Sequence, residues 1–236
     1  MQTSAPTTDT SVTNPAYARF SADRLKWVYG ARANILEPRF YLQSILVEPA
    51  REGGVYVVAT NGHLMMVAYD AEGTANRRFT FDVAEEIANI CGFPADEERL
   101  FSGCNYADTI VIDGDTLKAC RYELAGPDVP PLTVLSHPVE IGHEYPAWLP
   151  HIKANGPCNP VPTYVDLTLL ELAFVGLADT SSVASLTRYS PQGEDATRQG
   201  VHISFSALPL RGVLMPLGPA KDQPALTRYP MPFDAA

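Results

Sequence analysis

Two apolar runs on either side of an Asn-Gly pair constrain the fold more than any other feature of this 236-residue chain. Residues 57–69 read VVATNGHLMMVAY, in which Asn61-Gly62 separates the two runs. Asn-Gly is the strongest short-range signal for a β-hairpin, because both central residues of a type I′ turn need a positive φ. The stretch therefore predicts an antiparallel hairpin with His63 directly after the turn.

A helix and another strand precede this hairpin. Ser21 offers an N-cap and Asp23 an early acid for a helix that we expect to extend to about Asn34. Residues 41–48 (YLQSILVE) predict a strand, which continues through a glycine turn into a second strand over 55–60. One helix followed by an antiparallel meander is the first expected unit.

The same order of a helix followed by strands recurs twice along the chain. Helical spacing of apolar residues predicts helices over 83–91 and 165–177. The expected strands are 99–102, 108–112 and 116–123 after the second helix, and 182–189, 200–206 and 212–215 after the third. The proline-rich stretch 127–162 is expected to be mostly connection, and 190–199 a hairpin tip. The pattern favours an α+β fold with helices packed on antiparallel sheets.

Composition and charge limit the classes of function. The chain is 46% apolar and 19% charged, which is typical of soluble globular proteins, and no apolar run is long enough to cross a bilayer. The polar N-terminus shows no secretory signal, so we expect a cytoplasmic protein without a membrane partner. A formal net charge of −10 argues against a broad basic surface that coats nucleic acid. A small basic patch is still compatible with this charge.

Enzymatic and metal-binding motifs find little support. Four cysteines are widely separated and are expected to be free buried thiols: Cys91, Cys104, Cys120 and Cys158. Glu85 and Glu86 are neighbours on an expected helix, so they point about 100° apart and do not form a carboxylate pair. The sequence has no GxSxG elbow, Walker loop, dinucleotide fingerprint or HExxH. We expect no catalytic residue, cofactor or metal; an active site built from sequence-distant groups is the weaker alternative.

Three segments, in order, resemble the bacterial DNA polymerase III β subunit family, the sliding clamps. Residues 40–70 resemble a stretch of the clamp's middle domain in which a YLNGVL-type strand precedes VATDGHRLA. Residues 144–150 (EYPAWLP) resemble the FPDY-type segment that closes that domain, and 212–217 (GVLMPL) resemble the VVMPMRL that ends the clamp chain. The likeness covers about residues 20–217, and its specificity comes from the order of short motifs.

The resemblance implies a DNA-clamp fold of two clamp-like domains and a DNA polymerase processivity factor that encircles duplex DNA as a homo-oligomeric ring. Between Pro146 and Pro216 the chain is shorter than the family pattern by about half a domain, as in a shortened phage-type clamp, so both a trimer and a dimer stay open. The expected division is a disordered tail over 1–16, domains over 17–125 and 126–218, and a tail over 219–236. The second domain, whether complete or partial, would begin with an irregular proline-rich connection over 126–162.

In the clamp family, the Gly-His turn, the Tyr-Pro segment and the Met-Pro strand form a pocket for short peptides from polymerases and other DNA-processing proteins. Carried over residue by residue, the resemblance implies a peptide-binding site made of Leu42, Thr60, Gly62, His63, Leu64, Met65, Pro146, Val213, Met215, Pro216 and Leu217. Leu64 and Gly218 stand where the family has arginines, so weaker polar contacts to a peptide are expected. Taken singly, such residues are more often a surface histidine, core methionines and a strand-ending proline.

The helices of clamps line the central hole, where basic side chains contact phosphates without reading bases. The expected DNA-facing residues are Arg19, Arg24, Lys26 and Arg32, with Arg24 and Arg32 on one face of the first helix. The other two expected helices carry no basic residue, so the positive lining would be thin. An alternative of a different class is a non-encircling clamp-fold protein that acts as a decoy or adaptor for clamp partners.

Overall fold

The structure is a computed structural model that describes residues 14–34, 36–92, 106–122, 131–142, 144–152, 167–177, 184–188 and 200–215. The chain forms two compact units that are interleaved in sequence. Unit 1 is drawn from Met1–Lys26, Ser44–Val57 and Tyr69–Glu144, and unit 2 from Trp27–Gln43, Val58–Ala68 and Tyr145–Ala236. The division into sequential domains over 17–125 and 126–218 stays a prediction.

Short helices and antiparallel strands make up both units, which confirms the expected α+β class. The strands are β1 (Tyr17–Ser21), β2 (Ile45–Pro49), β3 (Val55–Thr60), β4 (Leu64–Asp70), β5 (Thr74–Ala75), β6 (Phe79–Phe81), β7 (Thr109–Asp113), β8 (Thr116–Arg121), β9 (Leu132–Pro138), β10 (Ile141–Gly142), β11 (Ala184–Arg188), β12 (Val201–Phe205) and β13 (Leu210–Leu214). The α-helices are α1 (Ala22–Tyr29), α2 (Glu85–Ile90), α3 (Leu149–Ile152) and α4 (Leu167–Phe174), and 3-10 turns cover Phe40–Leu42 and Val175–Leu177. Within these described segments, no helix is long and apolar enough to cross a membrane.

The core of unit 1 lies on one face of a sheet in which the strands follow the order β5, β1, β7, β8 and β9. Side chains along β1 alternate between solvent and core, because successive residues of a strand point to opposite faces. Ala18 and Phe20 are buried opposite Ile112 and Ile110 of β7. The ring of Phe20 lies 6.4 Å from that of Phe81 on β6, which pairs with β2 and β10.

The core of unit 2 forms around strands β4, β13, β12 and β11, which neighbour one another in that order. Met66 of β4 and Ile203 of β12 both lie opposite Gly212 of β13, and both side chains are fully buried. Helix α4 lies against β13, and its Phe174 ring meets Phe205 edge-on at 5.8 Å. The strand that carries the Met-Pro motif is therefore a central strand of this unit.

The first helix is shorter than expected, since α1 ends at Tyr29 and not near Asn34. Beyond Tyr29 the amides of residues 31 and 32 bond to carbonyls three residues back, which is a turn pattern. Gly30 lies so close to the carbonyl oxygen of Leu172 that an added Cβ would be 2.6 Å from it. The chain then leaves the helical path, and Ala33 donates its amide to the carbonyl of Leu42.

One further expectation about secondary structure is wrong. The strand expected over 41–48 begins only at Ile45, because residues 40–42 form a 3-10 turn. The proline-rich stretch 127–162, expected to be mostly connection, contains the short elements β9, β10 and α3 among its described residues. Proline is tolerated there because Pro138 stands at the very end of β9, the last strand of its sheet, where one row of backbone groups is not needed for pairing.

Several expectations fall outside the described residues. They are the N-terminal residues 1–13, the strand 99–102, the hairpin tip 190–199 and the C-terminal segment from Pro216 onward. Of the repeated helix-and-strands pattern, the described chain contains α2 followed by β7, β8 and β9, and α4 followed by β11, β12 and β13.

Candidate functional site

The turn between β3 and β4 is a three-residue loop organised by the side chain of Asn61. Its Oδ1 accepts hydrogen bonds from the backbone amides of His63 (2.9 Å) and Leu64 (2.8 Å). The backbone amide of Asn61 donates a hydrogen bond to the carbonyl of Leu64. The expected type I′ turn is wrong, because Gly62 has a positive φ of 87° but Asn61 does not. The side-chain hydrogen bonds close the turn without a second left-handed residue.

Backbone hydrogen bonds join this turn to the end of β13. Met65 lies opposite Val213 and Leu64 opposite Leu214 in the antiparallel register of β4 and β13. Met215 donates its amide to the carbonyl of His63 at 2.8 Å. The Gly-His turn and the Met-Pro strand, about 150 residues apart in sequence, are therefore hydrogen-bonded neighbours.

The Tyr-Pro segment is tied to the same unit by the side chain of Tyr145. Its hydroxyl donates to the carbonyl of Val58 on β3 at 3.2 Å. Trp148, three residues on, is buried, and the short helix α3 that follows carries the exposed His151. These contacts place Pro146 between an anchored tyrosine and a buried tryptophan.

A groove in unit 2 gathers the predicted site residues. Nine of the eleven line it: Leu42, Thr60, Gly62, His63, Leu64, Met65, Pro146, Val213 and Met215. The other two, Pro216 and Leu217, lie outside the described residues. The groove has a volume of about 210 Å³, which accommodates a few side chains.

The apolar residues of the groove divide into a buried floor and an exposed rim. Leu42 is only 2% exposed and Met65 9%, whereas Met215 is 42% exposed. Leu42 and Met65 therefore form the floor of the groove, and Met215 stands on its rim. Met66 points away into the core, as the alternation of side chains along β4 requires.

Sequence reasoning missed four lining residues, Arg39, Tyr41, His151 and Gly200. Arg39 and Tyr41 lie just before the predicted Leu42, and His151 directly follows the 144–150 motif, so proximity in sequence was the available signal. Arg39 adds a positive charge to a site in which Leu64 had indicated weak polar contacts. Gly200 enters only through the pairing of β12 with β13, which no local pattern encodes.

The guanidinium of Arg39 bonds to Glu37 and lies close to Gly62. Its Nε donates to Oε1 of Glu37 at 2.6 Å. Its Nη1 and Nη2 lie over Gly62, where an added Cβ would be only 3.0 and 3.1 Å from them. The hydrogen bond from Arg39 lowers the pKa of Glu37, and the same bond raises the pKa of Arg39.

The four expected DNA-facing residues do not share one element. Arg19 lies on β1, where its guanidinium stacks 4.2 Å above the ring of Tyr122. Arg24 and Lys26 lie on α1, and burial lowers the pKa of Arg24 although Asp70 and Asp23 act in the opposite direction. Arg32 follows the end of α1 and stacks on Tyr29 at 4.4 Å. The common helix face expected for Arg24 and Arg32 is wrong, because the helix stops between them; their contact with DNA stays a prediction.

The two described cysteines are free thiols in the interior. Cys91 donates its Sγ hydrogen to the carbonyl of Ile87 at 3.1 Å, and burial strongly raises its pKa. Cys120 is also buried, while Cys104 and Cys158 lie outside the described residues. Among the residues that the structure describes, no three His, Cys, Asp or Glu side chains converge as a metal site would require.

Solved structures of DNA polymerase III β subunits, the sliding clamps, are similar to this chain. For Thermotoga maritima the TM-score is 0.49 at 12% identity, covering 85% of this chain and 64% of that one. For the Borrelia burgdorferi β subunit the TM-score is 0.44 at 11% identity, covering 92% of this chain and 67% of that one. For the Pseudomonas aeruginosa clamp the TM-score is 0.42 at 15% identity, covering 90% of this chain and 70% of that one. The chain spans about two thirds of the length of these proteins, which belong to the family that its motifs resemble. No protein-family model and no curated protein sequence matches the chain.

Proposed function

We propose that the chain is a DNA polymerase processivity factor of the sliding-clamp type. In this proposal a homo-oligomeric ring holds the protein on duplex DNA, basic side chains make weak phosphate contacts, and the groove of unit 2 docks a peptide of the polymerase. The protein catalyses no reaction and takes no cofactor or metal. Its place of action is the cytoplasm, together with the DNA that is being replicated.

One observation carries the proposal. The three segments that resemble the clamp family are distant in sequence, yet residues from each of them line a single groove. A chance likeness of short motifs gives no reason for Thr60, Pro146 and Val213 to meet. The order of the motifs and their convergence are independent of each other, because sequence order does not fix which strands become neighbours.

The composition of the groove suits an extended peptide. Its floor is apolar, and methionine side chains adapt their shape to different ligands. Its rim exposes Met215, whose side chain is 42% exposed and open to a ligand. Aliphatic or aromatic anchors of a peptide would fill the groove, while its backbone stays extended.

The docking proposal predicts that a synthetic peptide with one glutamine and two leucine or phenylalanine anchors binds the full chain. We expect a Kd in the micromolar range, about −8 kcal/mol. Met215→Ala should weaken binding about five- to tenfold, because a rim side chain contributes contact area and its loss opens no interior cavity. Fluorescence anisotropy of the labelled peptide measures both values.

A control variant distinguishes peptide binding in the groove from non-specific hydrophobic binding elsewhere on the surface. Val175 is 57% exposed in a 3-10 turn and does not line the groove, so Val175→Ala should leave the affinity unchanged. Leu42→Ala is a poor test, since Leu42 is buried and its truncation is expected to destabilise the fold by about 2–5 kcal/mol. Equal loss of binding in Met215→Ala and Val175→Ala would place the peptide elsewhere.

A further inference from the structure

The chain continues from the rim of the groove into the tail over residues 219–236. Met215, the last described residue, lines the groove, and its backbone amide donates to the carbonyl of His63 at 2.8 Å. The side chain of Met215 is 42% exposed. Only the residues from Pro216 to Gly218 lie between this anchored position and the tail. The tail is therefore covalently tethered beside an accessible apolar site.

The sequence of the tail, PAKDQPALTRYPMPFDAA, has the composition of an extended binding peptide. Four of its residues are prolines: Pro219, Pro224, Pro230 and Pro232. Proline fixes its own φ and biases the residue before it toward extended backbone, so the sequence favours polyproline II, a helix with three residues per turn. Gln223, Leu226 and Tyr229 follow one another at three-residue spacing and would share one face of such a helix. Like the peptide of the docking proposal, the tail thus carries a glutamine followed by two apolar anchors.

The tether is long enough for the tail to fold back onto the groove. Gly218-Pro219, at its start, is a dipeptide that marks turns. Ten residues separate Met215 from Leu226, and an extended chain spans about 3.3 Å per residue. The reach of roughly 35 Å far exceeds the size of a groove that holds a few side chains, even after a reversal of direction.

A ligand that is tethered so closely needs little intrinsic affinity. A short flexible linker gives an effective concentration of about 1 mM. A tail that binds with a Kd of only about 0.1 mM would then fill the groove about ten times as often as it leaves it empty. The prolines add to this, because a backbone that is already extended loses less conformational entropy on binding.

We infer that the tail is an intramolecular ligand of the groove, in which Leu226 and Tyr229 contact the apolar floor and a partner peptide binds only by displacing them. The inference rests on the proposed docking function and adds that the chain carries its own competitor for the site. The apparent affinity of a free peptide falls in proportion to the fraction of chains whose groove is empty. Weakly binding apolar peptides are thereby kept out of the groove.

Two double variants of the full chain test the inference, and each removes two large apolar side chains from the tail. Leu226→Ala combined with Tyr229→Ala removes the proposed anchors. Met231→Ala combined with Phe233→Ala is the matched control, because these two residues are out of step with the three-residue spacing. The probe is a labelled peptide with one glutamine, two leucine anchors and capped ends, and fluorescence anisotropy measures its Kd. The anchor variant should bind the probe about tenfold more tightly than the wild type, and the control variant with wild-type affinity.

A second measurement distinguishes the tail of the same chain from the tail of another copy. Sedimentation velocity should give the same mass for the wild type and for the variant that lacks Leu226 and Tyr229, since a tail bound within its own chain joins no copies. A lower mass of this variant would assign the groove to the tail of a neighbouring copy and overturn the inference.

The binding outcomes separate the inference from the proposed function. Equal affinity of the probe for the wild type and the anchor variant overturns the inference and leaves docking intact. An equal gain of affinity in both double variants attributes the effect to the general hydrophobicity of the tail and overturns the role of Leu226 and Tyr229. If the probe binds none of the three chains, the docking function itself fails, and the inference fails with it.

Discussion

Gly62 carries two constraints at the residue scale, one from the backbone and one from its neighbour. Its φ of 87° is strained for any residue with a Cβ, and that Cβ would also be 3.0 Å from Nη1 of Arg39. The glycine thus permits the turn and the position of the guanidinium at once. Asn61 supplies the remaining organisation, because its side chain accepts both amide hydrogens that follow the glycine.

His202 gives a prediction about pH at the same scale. Burial, and secondly the charge of Arg211, lower its pKa in the folded chain. As the pH falls, His202 therefore takes up a proton in the unfolded chain before it does so in the folded chain. The stability that neutral His202 contributes is present above its ordinary pKa of about 6.5 and is lost as the pH falls through its lowered pKa in the folded chain. We expect the wild type to lose more stability between about pH 7.5 and pH 5 than His202→Gln does. Urea unfolding at both pH values measures the difference.

The exposed His151 provides the matched control. His151→Gln should show the same pH dependence of stability as the wild type. An unchanged loss of stability on acidification in His202→Gln would show that other groups account for the pH dependence.

At the scale of elements, the contact between β13 and its two neighbours determines whether the groove can form. Met66 on one side and Ile203 on the other fill the space above Gly212, where no side chain stands. A Cβ at this position would lie 2.6 Å from the sulfur of Met66 and 3.3 Å from the carbonyl oxygen of Met65. Because Gly212 has no side chain, Met66 and Ile203 can pack against each other across β13, the strand that ends next to Met215.

Gly212→Val should destabilise the chain and disturb the groove. A larger side chain in a packed core forces neighbours out of their preferred rotamers, which costs about 1–3 kcal/mol. We expect a lower urea midpoint and weaker peptide binding together, because β13 supplies one wall of the groove. Thermal and urea unfolding, followed by circular dichroism, measure the first effect.

The exposed Ser204 on β12 lies opposite Arg211 and offers a matched site for the same side chain. Ser204→Val should change stability by no more than about 0.5 kcal/mol. If Gly212→Val is as stable as the wild type, the side chains of Met66 and Ile203 accommodate the extra volume without strain.

The whole chain has 17 lysines and arginines against 27 aspartates and glutamates, which limits the phosphate contacts that the proposed clamp could make with DNA. Among the residues expected to face DNA, Arg24 is partly buried beside acids, and Arg19 and Arg32 stack on tyrosines. These contacts orient the guanidinium groups, but they provide few phosphate contacts. Retention by ring closure, with a weak electrostatic contribution, is therefore the mode of DNA association that we propose.

The salt dependence of binding to a short duplex tests the DNA-facing residues. If Lys26 and Arg32 each neutralise one phosphate, Lys26→Gln combined with Arg32→Gln should reduce the slope of log K against log salt by about 2, since each contact contributes about 0.9. Arg24 is left intact because it is half-buried near Asp70. Fluorescence anisotropy over a series of salt concentrations gives the slope.

Arg51→Gln combined with Arg78→Gln removes the same charge from two exposed positions in unit 1 and should leave the slope unchanged. Identical slopes for the wild type and the Lys26 and Arg32 double variant would contradict the assignment. The mass of the particle and a low-resolution image complete the test, because a monomer without a central hole would favour the non-encircling adaptor.

Much of the local structure follows from the sequence. The alternating and apolar runs determine β3 and β4, which begin and end within a few residues of the expected positions, and the same holds for β7, β8 and β12. The helical spacing over 165–177 predicts α4 and the 3-10 turn after it. Local patterns predict the end of α1 wrongly. The helix stops at Tyr29, where Gly30 lies against the carbonyl of Leu172, a residue far away in sequence.

The sequence by itself determined the α+β class, the hairpin around Asn61-Gly62 and nine of the residues that line the groove. The class and the hairpin depend on side-chain periodicity and turn chemistry, which act over a few residues. The nine groove residues follow from the resemblance of three short motifs to the clamp family. Only the tertiary structure decided that Leu42 is buried while Met215 is exposed, and that Arg39 lies over Gly62. Burial and the direction of a long side chain depend on which distant segments become neighbours, and strand pairing between residues 64 and 214 is not encoded in either segment alone.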